Sequence, residues 1–215
     1  ALAAIALLLF GCGGGHDINA GPGGTAGSGA PKVSVQDLPP GSYTVSVGDA
    51  QQPTVGKYYA GEDGSRLLLL AKPDDRLDAL SRRDAGAGWW AAVPAASTDV
   101  QVALLRSDAM PVQSPDAAAL AGSYVAALPD GSAARFALGA DGRIAAGDTA
   151  CRITGRLEAG KLPSTLKLAM QAAACAGLPA SGTGVLVIDG DYHPARFRLV
   201  ADNGTQSLDL WAFRE

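Results

Sequence analysis

The residues with most chemistry to offer are two histidines, three cysteines, an adjacent pair of tryptophans and a scatter of carboxylates. His16 stands in a Gly-rich stretch where nothing would orient it. His193 follows Asp189-Gly190-Asp191-Tyr192 and precedes Pro194. An exposed turn histidine is the expectation there, with a metal ligand or a general base as the sharper alternative. A calcium loop would need a carboxylate about twelve positions into the loop, and Val200 stands there when the count starts at Asp189. No Gly-x-Ser-x-Gly links a strand to a helix, so a nucleophile elbow is not expected. Asp74 and Asp75 are adjacent, follow Pro73, and would point to opposite faces of any strand that held them. No catalytic residue, metal or cofactor is expected.

Trp89-Trp90 is the local feature that suggests binding. Adjacent residues on a strand face opposite sides, so one ring would fill a core while the other is exposed or covered by a partner. Exposed aromatics of this kind are over-represented in binding hot spots. The plainer reading buries both rings between a sheet and a covering loop. Trp89 and Trp90 are therefore a candidate binding surface.

The elements that must position these residues begin with an anchor. Residues 1–10 are almost wholly apolar. A run that short cannot span ~30 Å of hydrocarbon as a helix, and it fits the core of a secretory signal peptide. The basic residues that normally precede such a core, and an initiator Met, are absent, so residues 1–11 are expected to be a truncated signal peptide. Leu9-Phe10-Gly11-Cys12 resembles the lipobox of bacterial lipoproteins, with Leu three residues before the cysteine and a small residue directly before it. The resemblance implies cleavage before Cys12, a diacylglyceryl thioether on its sulfur and acylation of the new N-terminus. Gly13, where an Asp would signal retention in the inner membrane, implies the outer membrane. Several acyl chains hold a protein firmly where one holds it marginally.

With Cys12 assigned to the anchor, Cys151 and Cys175 remain as an even pair in an exported chain. A disulfide is the default in an oxidising compartment. It would close a loop of about 25 residues, worth roughly 3 kcal/mol in the chain-entropy model. Free thiols or a metal site are the alternatives, and the absence of a nearby His pair makes zinc a poor fit.

Composition narrows the partners. The 215 residues carry a formal charge of −4 without charged blocks. Backbone binding to nucleic acid needs clustered Lys and Arg, so nucleic acid is not expected. Residues 12–31, poor in apolar side chains and rich in Gly, Ala, Ser and Thr, read as a flexible tether behind the lipidated cysteine. The rest is long enough to bury a substantial core.

From Lys32 the pattern has a period of two. Val33 and Val35 alternate with polar residues, and so do Tyr43, Val45 and Val47. That is how half-buried strands read. Residues 66–71 are a continuous Leu-rich run, and Val100, Val102 and Leu104 alternate with Gln101 and Ala103. Residues 74–83 could hold a helical turn, with Leu77 and Leu80 on one side and Arg82-Arg83 in a solvated loop. Ser114-Pro115-Asp116 is a helix-start signature, so a short linker helix is expected at 114–121, between a β-rich domain at 32–113 and another at 122–215.

The second half offers seven short strands, separated by Asp130-Gly131, Asp141-Gly142, Asp189-Gly190 and Asn203-Gly204. Such dipeptides favour the positive φ angles of tight hairpins, and the spacing suggests a small antiparallel barrel or sandwich. Residues 164–174 are ambiguous, and alternation favours a strand for their first half only. Trp211 and Phe213 share one face of the last strand, with Leu208 and Leu210 on the other, so that strand should be buried on both sides. A faint repeat relates Gly56-Lys57-Tyr58-Tyr59-Ala60 to Gly122-Ser123-Tyr124-Val125-Ala126, each leading to an Asp-Gly-Ser turn. Duplicated modules and a recurrent opening hairpin both account for it.

The stretch from Gly122 onward resembles a β-rich module of poorly characterised proteobacterial outer-membrane lipoproteins. Its marks are the Gly-x-Tyr opening, the Asp-Gly turns, Cys151-x-x-x-Gly155, the second Cys175 and the closing apolar strand. The resemblance implies a fold and an address and transfers no chemistry. The sequence therefore leads to a mainly β lipoprotein of the cell envelope, anchored to the outer membrane by its lipid and facing the periplasm or the cell surface. Its expected role is non-catalytic, binding an envelope protein or polymer. An inhibitor of a lysozyme-type hydrolase and a small barrel carrying an apolar ligand are the rival readings.

Overall fold

A computed structural model describes residues 30–215. The signal segment, Cys12, His16 and nearly all of the tether lie outside the described residues. The rest is mainly β, as the period-two patterning requires. The second half closes into an eight-stranded antiparallel barrel, ordered β9(Gly122–Ala127), β10(Ala133–Leu138), β11(Arg143–Ala146), β12(Arg152–Ala159), β13(Thr165–Ala173), β14(Ser181–Val187), β15(Phe197–Asp202) and β16(Ser207–Arg214), with β16 returning to β9. Alternation fills the barrel. Tyr124, Phe136, Ile153, Leu168, Leu186, Phe197, Leu199 and Leu210 point inward and are almost fully buried. The rings of Tyr124 and Phe197 lie 4.6 Å apart.

The first half forms a six-stranded antiparallel sheet, with β2(Gly41–Gly48), β3(Pro53–Ala60), β4(Arg66–Ala71), β5(Leu77–Arg83) and β6(Ala91–Val93) in sequence and β8(Leu104–Met110) on the far side of β2. β1(Val33–Val35) pairs in parallel with β7(Val100–Val102), and Val33 also bridges Trp90. β1 thus links the segments leading into β6 and β8, the two edges of the sheet. The Leu-rich β4 is buried on both faces. Leu68 joins Val33, Val45, Tyr58 and Trp90 in one layer, while Leu67 and Leu69 face the barrel.

Between the two halves lies a shared apolar layer. Tyr59, Leu67, Leu69, Leu80 and Val93 of the sheet pack with Val187, Tyr192, Ala195 and Val200 of the barrel. All six residues of β15 are buried, because its inner face fills the barrel and its outer face meets the sheet. β16 is two-sided in the same way: Leu208 and Leu210 fill the barrel while Trp211 and Phe213 pack on the shared layer. Residues 31–215 make one compact unit.

Four local expectations need correction. No helix forms at 114–121. A single turn is closed by Leu120 N donating to Asp116 O (3.1 Å) and Ala121 N donating to Ala118 O (3.3 Å). Nucleating a helix is costly and needs more length to recover. Here the Leu120 carbonyl, which a longer helix would use, accepts instead from the Tyr124 hydroxyl. Residues 77–83 are a strand and not a helical turn. A bulge between Leu70 and Ala71 opposes Ala71 to Leu77 and Leu70 to Ala79. The extra residue sends Leu77 and Leu80 to the same layer, which mimics helical spacing in the sequence. Residues 164–174 do not stop being a strand halfway, since Met170 and Ala172 continue the inward alternation of Leu166 and Leu168. Asp189-Gly190 is not a hairpin turn. Asp189 caps a 3-10 turn at Gly190–Tyr192, and the wider loop brings Tyr192 into the shared layer.

Candidate functional site

Where β3, the β4–β5 turn and β16 come together, the shared apolar layer opens into a cleft of about 1120 Å³. Its walls alternate by the strand rule. Val55 and Lys57 face it from β3, Leu69 and Ala71 from β4, and Asp209, Trp211 and Phe213 from β16. Val55 is 49 % exposed although apolar, and Trp211 and Phe213 are half-buried. The 3-10 turn supplies Asp191 and Tyr192 at the rim, with the exposed His193 beyond them.

Most charged groups around the cleft are paired with one another, Lys72 and Asp75 being the exceptions among the described residues. Lys57 Nζ lies 2.6 Å from Asp191 Oδ2 and 2.9 Å from Asp189 Oδ2. Burial works against the Lys57 charge, but its bonds to Asp191 and Asp189 more than offset this and lift its pKa above the ordinary lysine value. Arg198 is nearly fully buried and grips Asp209 with two nitrogens, Nε to Oδ1 at 2.6 Å and Nη2 to Oδ2 at 2.8 Å. Its guanidinium sits 4.6 Å from the centre of the Trp211 ring. Asp209 Oδ2 also accepts from the backbone N–H of Leu77 at 2.7 Å, so one carboxylate ties β16 to β5. The hydroxyls of Tyr59 and Tyr192 meet at 3.5 Å. Burial, then the neighbouring Tyr192, pushes the Tyr59 pKa far up and keeps that hydroxyl neutral. These groups fix the geometry of the joint. Lys57 stays protonated and Tyr59 stays neutral, so neither is poised as a base near neutral pH.

The tryptophan pair resolves into two environments. Trp90 is 5 % exposed and packs 5.9 Å from the Tyr58 ring, with the Arg83 guanidinium 5.5 Å from its centre. Trp89 is 73 % exposed. It follows the C-terminal end of β5, whereas the cleft begins at Leu77 at the strand's other end, so Trp89 takes no part in the cleft. Arg82 and Arg83 are not loop residues. Arg82 pairs with the buried Asp202 at 3.1 Å and Arg83 with Asp37 at 2.9 Å, on opposite faces of β5. Cys151 and Cys175 form the disulfide, with Cα atoms 4.5 Å apart and a sequence separation of 24. The sequence reading placed Trp211 and Phe213 on a buried strand and so missed the cleft. The only signal was that the outward face of β16 is aromatic while its inward face is already apolar.

Among the described residues no three His, Cys, Asp or Glu side chains gather as a metal site, and no helix is long and apolar enough to cross a membrane. No family model, curated protein or solved structure matches this chain.

Proposed function

We propose that the protein is a non-catalytic binding module of the bacterial envelope, anchored to the outer membrane through Cys12, with the cleft between sheet and barrel holding an envelope protein or polymer. One observation carries this reading: Val55, Trp211 and Phe213 offer apolar surface in a cleft where the neighbouring Lys57 and Arg198 are already held by carboxylates. A concave surface with an aromatic floor and fixed polar posts is the usual form of a binding site. A lipid tether would raise the effective concentration of an envelope partner without any new contact. The carrier reading has less support, because the barrel interior is occupied by its own rings and aliphatic side chains.

The test is a photo-crosslinking side chain at Val55 in the native envelope. A second probe at Leu105, which is equally exposed on β8, serves as the off-site control, and Cys12→Ser as the untethered one. A discrete adduct from Val55, missing from Leu105 and reduced without the lipid, is the expected result. Identical adducts from both positions, or none from folded protein, would remove the cleft from consideration.

A further inference from the structure

A second concave surface lies on the barrel's outer wall, across β11 to β14, and encloses about 980 Å³. It shares no lining residue with the cleft. Its cations are Arg143 on β11, Arg152 and Arg156 on β12, and Arg82 at the far rim. Arg82 is committed to Asp202, the one carboxylate in the groove. Arg156 has only the exposed Glu158, at 3.9 Å, on its own strand. Among the described residues Arg143 and Arg152 have no carboxylate partner.

The pairing register makes this arrangement costly. Arg143 and Arg156 are directly opposed across β11 and β12. Like charges in that position destabilise a sheet, and the chain as a whole is acidic, at −4. The floor is small, with Ala145, Gly155, Ala169 and Gly182. The row beside it is uncharged and hydrogen-bonding: Thr154 lies opposite Gln171, and Gln171 opposite Ser181. No aromatic side chain lines the groove, so it lacks the aromatic stacking platform on which single-stranded nucleic-acid sites are built.

We infer that this groove binds an acidic glycan. Arginine forks would take its carboxylate or phosphate groups, as guanidinium does with planar or tetrahedral oxyanions. The Thr, Gln and Ser side chains would take the sugar hydroxyls. An anion between Arg143 and Arg156 would turn the opposed charges from a liability into a bidentate clamp. The inference stands on the barrel wall alone, so it survives or fails independently of the cleft.

The test uses the full chain, titrated at low salt with oligogalacturonate as the carboxylate probe, phosphomannan as the phosphate probe and dextran as the neutral control. Binding of at least one polyanion, weakening as salt is added, is expected, with none to dextran. The stronger polyanion identifies the anionic group. Arg143→Gln with Arg152→Gln should weaken binding about tenfold or more. Because the substitution relieves like-charge repulsion, its Tm should hold or rise by about 1–2 °C. Equal affinity for dextran, no polyanion binding by the parent protein, or undiminished binding by the double variant would overturn the inference. So would a loss of binding accompanied by a lower Tm, which would assign the arginines to the fold.

Discussion

Tyr43 and Tyr124 make the same contact in the two halves of the molecule. Each hydroxyl donates to the carbonyl four residues earlier, Tyr43 to Pro39 and Tyr124 to Leu120. Each follows a Gly-Ser pair whose glycine is in the same unusual conformation, φ +154° at Gly41 and +153° at Gly122. Their cross-strand partners correspond as well, with Tyr43 opposite Tyr58 and Tyr124 opposite Phe136. So do the next turns, where Gly61 and Gly139 each lie against the carboxylate of the Asp two residues on, Asp63 and Asp141. The repeat is thus Gly41-Ser42-Tyr43 with Gly122-Ser123-Tyr124, and not the Gly56 segment with the Gly122 segment. Gly56 lacks the positive φ.

The two tyrosines should nonetheless differ in worth. The Leu120 carbonyl is in a buried bond and the Pro39 carbonyl in an exposed one. Tyr124→Phe leaves a buried acceptor unmet, at a cost of about 1–3 kcal/mol, whereas water can replace the lost donor in Tyr43→Phe. Denaturant unfolding of the two variants should give a clear loss for Tyr124→Phe and a change within about 0.5 kcal/mol for Tyr43→Phe.

Trp89 and Trp90 offer a comparison within one dipeptide. Trp90→Ala removes a core ring and should cost about 3–5 kcal/mol. Trp89→Ala should leave stability within about 0.5 kcal/mol. Iodide quenching of the single-Trp variants that keep only Trp89 or only Trp90 should reach the first and spare the second. Equal quenching would place both rings in one environment.

Acid should loosen the first half at Asp37. Burial opposes ionisation of this carboxyl, but the bonds and charges of Arg83 and then Arg66 prevail and hold its pKa below the ordinary aspartate value. A group depressed in the folded state stabilises fully above its unfolded pKa and loses that contribution as pH falls through the folded one. The loss should therefore fall below about pH 4. Asp37→Asn should be less stable than the parent at neutral pH and should show a shallower decline on acidification. An unchanged acid profile would mean the two arginines do not favour the ionised form.

Much of this architecture is legible in the sequence because barrels are written in alternation and turn chemistry. Leu166, Leu168 and Met170 announce the inward face of β13, and Asp130-Gly131 and Asp141-Gly142 announce the hairpins, with φ +83° and +81° at the glycines. The failures are places where one residue breaks the period. The bulge beside Ala71 gave Leu77 and Leu80 helical spacing, and the Asp189 cap turned an expected hairpin into a wedge. Neither site was legible, for a different reason. The cleft and the Arg groove are assembled from outward positions on strands distant in sequence. Period two says that such positions face outward, and it does not say which strands adjoin. Arg143 and Arg156 acquire meaning only once β11 and β12 are paired in register.

The Arg198–Asp209 pair carries the last prediction, because it joins both halves at the cleft. Arg198 is held by Asp209 and by the Trp211 face, and Asp209 in turn holds the Leu77 N–H. Removing one charge of a buried pair strands the other, which costs about 3–5 kcal/mol, whereas an apolar replacement of both can be far milder. Arg198→Met should therefore destabilise strongly, and adding Asp209→Leu should recover part of the loss. The recovery must be incomplete, since the Leu77 N–H then has no acceptor. Hydrogen exchange would locate that residue of the loss at the β4–β5 turn and the start of β5. Full recovery would mean that the Asp209–Leu77 bond contributes nothing to stability.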